Sequence, residues 1–78
     1  MGVSRMTEIE AADIWSRNVR EIRAATDKRQ DAVYSRWLRT GMLCTERDAL
    51  MRSLRAGEDA AIAQETRLYY ANRALAAA

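Results

Sequence analysis

The chain has 78 residues and a nearly balanced formal charge of +2, with 13 Lys and Arg against 11 Asp and Glu. It has no histidine and one cysteine, which excludes an internal disulfide and argues against a zinc site, so we expect no metal and no cofactor. Proline is absent, glycine occurs 3 times, and no run of about 18 apolar residues is present, so we expect a helical protein without a membrane span.

The first predicted helix covers residues 8–39, after a flexible tail over residues 1–6. Thr7 and Glu10 have the spacing of a capping box, which places the helix start at about Glu8. Six polar residues from Thr26 to Asp31 leave a break at Asp27 open, but no Gly or Pro interrupts the run, which favours one continuous helix. Its apolar residues recur at helical spacing, and they are Ala12, Trp15, Val19, Ile22, Thr26, Val33 and Trp37.

A turn is predicted over residues 41–45. Gly41 is suited to the left-handed C-terminal cap of the first helix, and Thr45 is suited to the N-terminal cap of the next. Cys44 precedes that cap and is predicted to pack against Ala49 as a small hydrophobic staple. With no His or Lys base beside it, a reactive thiol is the weaker hypothesis.

The second predicted helix covers residues 46–76. Its apolar and small residues alternate in steps of three and four, the spacing of a coiled coil, and this predicted seam is Leu50, Leu54, Gly57, Ala61, Gln64, Leu68, Ala71 and Leu75. Glycine in a helix interior is unfavourable by about 1 kcal/mol relative to alanine. A break at Gly57, followed by a third helix, is therefore the competing architecture.

The fold predicted for residues 1–78 is a single all-α domain, an antiparallel, coiled-coil-like two-helix hairpin. The alternative is a three-helix bundle with its break at Gly57. If the chain reverses near Gly41, facing residues have numbers that add to about 87, which pairs Trp37 with Leu50 and Trp15 with Ala71. In this register Gly57 leaves room for the long side chain of Arg29.

Two helices alone leave apolar flanks in water. Met51, Ile62 and Tyr69 share one flank of the second helix, and Tyr34 and Leu38 share a flank of the first. An uncovered apolar patch on a hairpin this small indicates that a partner covers it. We therefore predict that these five residues bind another protein or a second copy, and that a homodimer would complete a four-helix bundle.

Three functions follow from this pattern. The favoured one is a non-catalytic protein-binding hairpin, such as a chaperone, an inhibitor or an assembly adaptor, in the cytoplasm, where a lone thiol stays reduced. The second is nucleic-acid binding near the turn, through Arg36, Arg39, Arg52 and Arg55. The third is a small helical enzyme with a cationic pocket built from Arg29, Gln64 and Glu65, although no nucleophile with a base beside it is present.

Overall fold

Two long helices packed against each other make up the fold. A computed structural model describes residues 6–77, so residues 1–5 of the predicted tail lie outside the described part. Helix α1 runs over Glu8–Thr40 and helix α2 over Cys44–Ala77. They pair antiparallel in a hairpin 62 Å long. The predicted all-α hairpin is confirmed, and neither helix breaks at Asp27 or at Gly57.

The ends of α1 follow from local sequence. The Thr7 side chain accepts a hydrogen bond from the Glu10 amide at 3.1 Å, which satisfies one of the free N–H groups of the first turn. At the other end Gly41 adopts the left-handed conformation, with φ at 66°, and its N–H donates to the Trp37 carbonyl at 3.1 Å. Both caps agree with the sequence prediction.

The turn is shorter than the predicted one. Helix α2 begins at Cys44, and the Arg47 amide donates to the Leu43 carbonyl at 3.0 Å, so Thr45 lies inside the first turn and does not cap the helix. The Cys44 side chain is exposed, and the prediction that it packs as a staple is wrong. Only Gly41, Met42 and Leu43 connect the two helices.

The short turn sets the register between the helices. Trp15 contacts Thr66 and Tyr69, and Asn18 contacts Glu65, so facing residues have numbers that add to between 81 and 84. The predicted value of 87 is therefore wrong by about one helical turn. Trp15 lies against the C-terminal part of α2 as predicted, but the residues opposite it are Thr66 and Tyr69 and not Ala71.

The rotation of the helices about their axes is predicted correctly for α1 and wrongly for α2. On α1, Val19 and Thr26 are buried and most of the predicted stripe is half-buried, although Ala11 takes the inward position expected for Ala12. On α2 the predicted flank turns inward, and the residues of that flank, Met51, Ile62 and Tyr69, are half-buried. Much of the predicted seam turns outward instead, leaving Leu50, Leu68 and Leu75 exposed by 39%, 47% and 68%.

The hairpin has a very small core. Within residues 6–77 the buried residues are Ala11, Val19 and Thr26, and no large side chain is fully buried. A Cβ added at Gly57 would meet no atom within 4 Å, so room for Arg29 does not explain this glycine, contrary to the prediction. Over the same residues neither helix has a stretch apolar and long enough to cross a membrane.

Candidate partner-binding surfaces

An aromatic cluster joins the two helices at the open end of the hairpin. The Trp15 indole Nε1 donates to Thr66 Oγ1 at 3.1 Å, and the Trp15 and Tyr69 rings lie 5.8 Å apart. The Thr66 hydroxyl donates in turn to the Ile62 carbonyl at 2.8 Å. Tyr70 stands 5.3 Å from Tyr69 by ring centroids but is itself exposed. The cluster therefore fixes Tyr69 as an interhelix contact, whereas the sequence predicted it as a free partner-binding residue.

A polar pair lies beside this cluster. Asn18 Nδ2 donates to Glu65 Oε2 at 3.0 Å, and both residues are half-buried. Gln64 accepts from Arg67 on its own helix at 3.4 Å. Arg29 lines a separate hollow with Gly57 and Glu58. The structure thus does not bring Arg29, Gln64 and Glu65 together as a cationic pocket.

A second cluster holds the helices together near the turn. The Arg47 guanidinium carbon lies 4.3 Å from the centroid of the Trp37 ring and 5.8 Å from that of Tyr34, and the two rings meet edge to face at 6.3 Å. Arg47 also donates twice to Asp48 Oδ1 at 3.1 Å. The hydrogen bond to Asp48 raises the pKa of Arg47 above its ordinary value. The guanidinium, which is charged at physiological pH in any case, lies over the ring of Trp37.

The side of the hairpin next to this cluster carries arginine and tyrosine. Arg52 and Arg55 line a shallow hollow with Tyr34, Asp48 and Met51. Exposed Leu38 lies one helical turn beyond Tyr34. We call this side the arginine–tyrosine face, defined by Tyr34, Leu38, Arg52, Arg55 and Tyr70.

The two other predicted phosphate-contacting arginines do not join that hollow. Arg36 and Arg39 are both exposed. Arg39 Nε donates to the Ser35 carbonyl of its own helix at 3.4 Å. Of the four predicted arginines, the structure therefore brings Arg52 and Arg55 together around one hollow.

The opposite side of the hairpin carries leucines of the predicted seam that the structure leaves exposed. Two neighbouring hollows open there, one lined by Ile14 and Leu68 and the other by Ala25, Leu54 and Gly57. Ala25 and Tyr34 are nine residues apart, half a turn around α1, which places the two faces on opposite sides. We call this the leucine face, defined by Leu50, Leu68 and Leu75 on α2 with Ile14 and Ala25 on α1.

Charge is divided along the length of the hairpin. The turn half, residues 28–55, carries seven Arg and Lys against three Asp and Glu, a formal net charge of +4. The open half, residues 6–27 and 56–77, carries five basic against eight acidic residues, a net charge of −3. On α1, Glu21 of the open half and Arg29 and Arg36 of the turn half share the side of Ala25 by helical spacing.

The sequence pattern placed Leu50, Leu68 and Leu75 in the contact between the two helices, whereas the structure leaves them exposed. Glu65 and Thr66 of α2 contact α1 through hydrogen bonds. Because both side chains are polar, the spacing of apolar residues could not predict that they face α1. The Trp15 indole and the Asn18 amide are hydrogen-bond donors on α1 that need acceptors. This need could have indicated that Thr66 and Glu65 face α1.

No protein-family model, curated protein or solved structure matches the chain. Its function is therefore inferred from the two faces and from the division of charge. In residues 6–77 no group of three or more His, Cys, Asp or Glu side chains is placed to hold a metal ion.

Proposed function

We propose that this chain is a small, non-catalytic protein-binding hairpin whose leucine face receives the partner. A chaperone, an inhibitor or an assembly adaptor would each use such a surface. The cytoplasm, which the lone cysteine favours, is the proposed setting. The proposal keeps the protein-binding hypothesis drawn from the sequence and moves the surface from Met51, Ile62 and Tyr69 to the leucines beside them.

The exposure of Leu50, Leu68 and Leu75 carries this proposal. These residues lie on one side of α2, at spacings of 18 and seven residues, and the hollows beside Leu54 and Leu68 continue the apolar surface towards α1. Fully burying a leucine contributes about 1.5–3 kcal/mol. Only three residues are buried in the described part of the chain. Much of the apolar surface therefore adds little to the stability of the hairpin and is available to stabilise a complex.

Affinity capture with matched variants tests the proposal. The chain is immobilised in three forms, the wild type, Leu68→Gln/Leu75→Gln, and Leu38→Gln/Leu43→Gln. The two doubles make the same change at exposed leucines, but only the first lies on the leucine face. We expect purified candidate proteins that bind the wild type to bind the control double equally and to lose at least about tenfold in affinity for the first double. Equal binding to both doubles would refute the leucine face as the binding surface.

Nucleic-acid binding is a second candidate, favoured by the net charge of the turn half and by Arg52 and Arg55 beside Tyr34. Asp48 lines the same hollow, and its negative charge would repel a phosphate there. Titration with duplex DNA and with single-stranded RNA at rising salt distinguishes the two functions. Phosphate binding weakens steeply with salt and with Arg52→Gln/Arg55→Gln, whereas a partner on the leucine face is much less sensitive to either change.

A further inference from the structure

We propose that the partner on the leucine face is a second copy of this chain, docked antiparallel so that the turn half of each copy covers the open half of the other. The inference rests on the proposed function and names its partner and its orientation. The product is a four-helix bundle in which the leucine faces of the two hairpins meet in the middle and the arginine–tyrosine faces stay in water.

Charge complementarity selects the antiparallel orientation. Each hairpin has a turn half with a net charge of +4 and an open half with a net charge of −3. A parallel dimer would stack like charge on like charge over the whole length. An antiparallel dimer places each basic half on an acidic half, and Arg29 and Arg36 then lie on the half of the interface where the partner copy presents its Glu21.

The size of the face fits a stable dimer. The hairpin is 62 Å long and 16 Å wide, so one side offers roughly 1,000 Å², where a specific interface needs about 800 Å² from each partner. A twofold axis uses the same face on both copies, so Leu50, Leu68 and Leu75 of each copy are covered by the other. Such an interface is closed, and it leaves no leucine face free for a third copy.

The single cysteine provides a probe of the orientation in the intact chain. Cys44 is exposed and lies at the turn end of the hairpin. A nitroxide on Cys44 reports the distance between the turns of two copies by pulsed electron paramagnetic resonance. In the antiparallel dimer the two labels lie at opposite ends, and the distance approaches the 62 Å length of the hairpin. In a parallel dimer the labels lie side by side, within about 25 Å given helix diameters of about 10–12 Å.

The experiment combines this distance with the molar mass from light scattering over a dilution series. We expect a dimer with a single long distance, and little Cys44–Cys44 disulfide after mild oxidation of the unlabelled chain. Leu68→Gln/Leu75→Gln should raise the dissociation constant at least about tenfold, whereas Leu38→Gln/Leu43→Gln should leave it unchanged. Circular dichroism of each variant establishes that it remains helical.

Two results would overturn the inference. A short distance, or efficient disulfide formation between turns, contradicts the antiparallel orientation. A wild-type chain that stays monomeric at every concentration contradicts self-association. In that second case the proposed function still stands if another protein binds the wild type and the Leu38→Gln/Leu43→Gln control but not Leu68→Gln/Leu75→Gln.

Discussion

The indole N–H of Trp15 donates to the hydroxyl of Thr66 at 3.1 Å and so joins residues 51 positions apart in the chain. The Thr66 hydroxyl in turn donates a hydrogen bond to the Ile62 carbonyl, so the indole N–H and the hydroxyl are both satisfied at the interface. Rotating α2 to bring Leu68 inward would remove the acceptor from a half-buried indole. This bond therefore opposes the rotation that the apolar pattern alone favours.

A double-mutant cycle measures the contribution of that bond. We expect Trp15→Phe and Thr66→Val each to lower the free energy of unfolding. The double variant should lose less than the sum of the two singles, with a coupling of about 0.5–1.5 kcal/mol, typical of a hydrogen bond. Urea unfolding followed by circular dichroism gives these values. Strict additivity would show that the two side chains do not interact.

Arg47 stabilises the turn end through the ring of Trp37. Replacing Arg47 with Gln removes the cation 4.3 Å from the ring centroid and both hydrogen bonds to Asp48. We expect a loss of about 0.5–1 kcal/mol of unfolding free energy. Arg23→Gln, at an exposed position on α1 outside the residues that define the two faces, is the matched control and should change stability little. Equal effects of the two substitutions would contradict a specific role for Arg47.

The two described glycines are predicted to respond in opposite directions to alanine. Gly57 lies inside α2 with open space around it, so Gly57→Ala should stabilise the hairpin by about 0.5–1 kcal/mol. Gly41 has φ at 66°, so Gly41→Ala should destabilise it by about 1–2 kcal/mol.

Thermal unfolding of both glycine variants in the Leu68→Gln/Leu75→Gln background, which is expected to weaken self-association, checks the signs. A destabilising Gly57→Ala in that background would mean that α2 needs this glycine within the hairpin itself. A neutral Gly41→Ala would contradict its role as the left-handed cap.

Charge reversal tests the complementary halves. Arg36→Glu lowers the positive charge of the turn half, and Glu21→Arg lowers the negative charge of the open half. Either change alone should raise the dimer dissociation constant several-fold, since each exposed pair is worth about 0.2–1 kcal/mol and twofold symmetry repeats it. The double reversal should restore much of the affinity. Sedimentation equilibrium at low salt measures all four proteins, and a double variant that is weaker than both singles would contradict the antiparallel arrangement.

The caps and the inward face of α1 could be predicted from sequence because short-range chemistry determines them. Thr7 and Gly41 act within one helical turn of their own positions. The register depended on the length of the turn: helix α2 starts at Cys44 and not at Glu46, which shortens the connection and contributes to the shift in register. The rotation of α2 depended on Thr66 and Glu65, whose partners Trp15 and Asn18 lie on the other helix.

The candidate surface was missed for the same reason. Because Leu50, Leu68 and Leu75 have coiled-coil spacing, the sequence assigned them to the contact within the hairpin, and the residues left over, Met51, Ile62 and Tyr69, were assigned to a partner. The spacing of the leucines favours contact with another helix but does not say whether that helix belongs to the same chain. Tyr34 and Leu38 are exposed as expected, but they lie on the arginine–tyrosine face.

The most direct test of the leucine face is the solvent exposure of individual leucine methyl groups in solution. Methyl NMR spectra with a soluble paramagnetic agent are recorded for the wild-type chain at low and at high concentration. We expect the Leu50, Leu68 and Leu75 methyls to broaden when dilute and to become protected when concentrated, while Leu38 broadens at both concentrations. Protection of Leu68 and Leu75 in the dilute monomer would place them between α1 and α2 and would contradict the account.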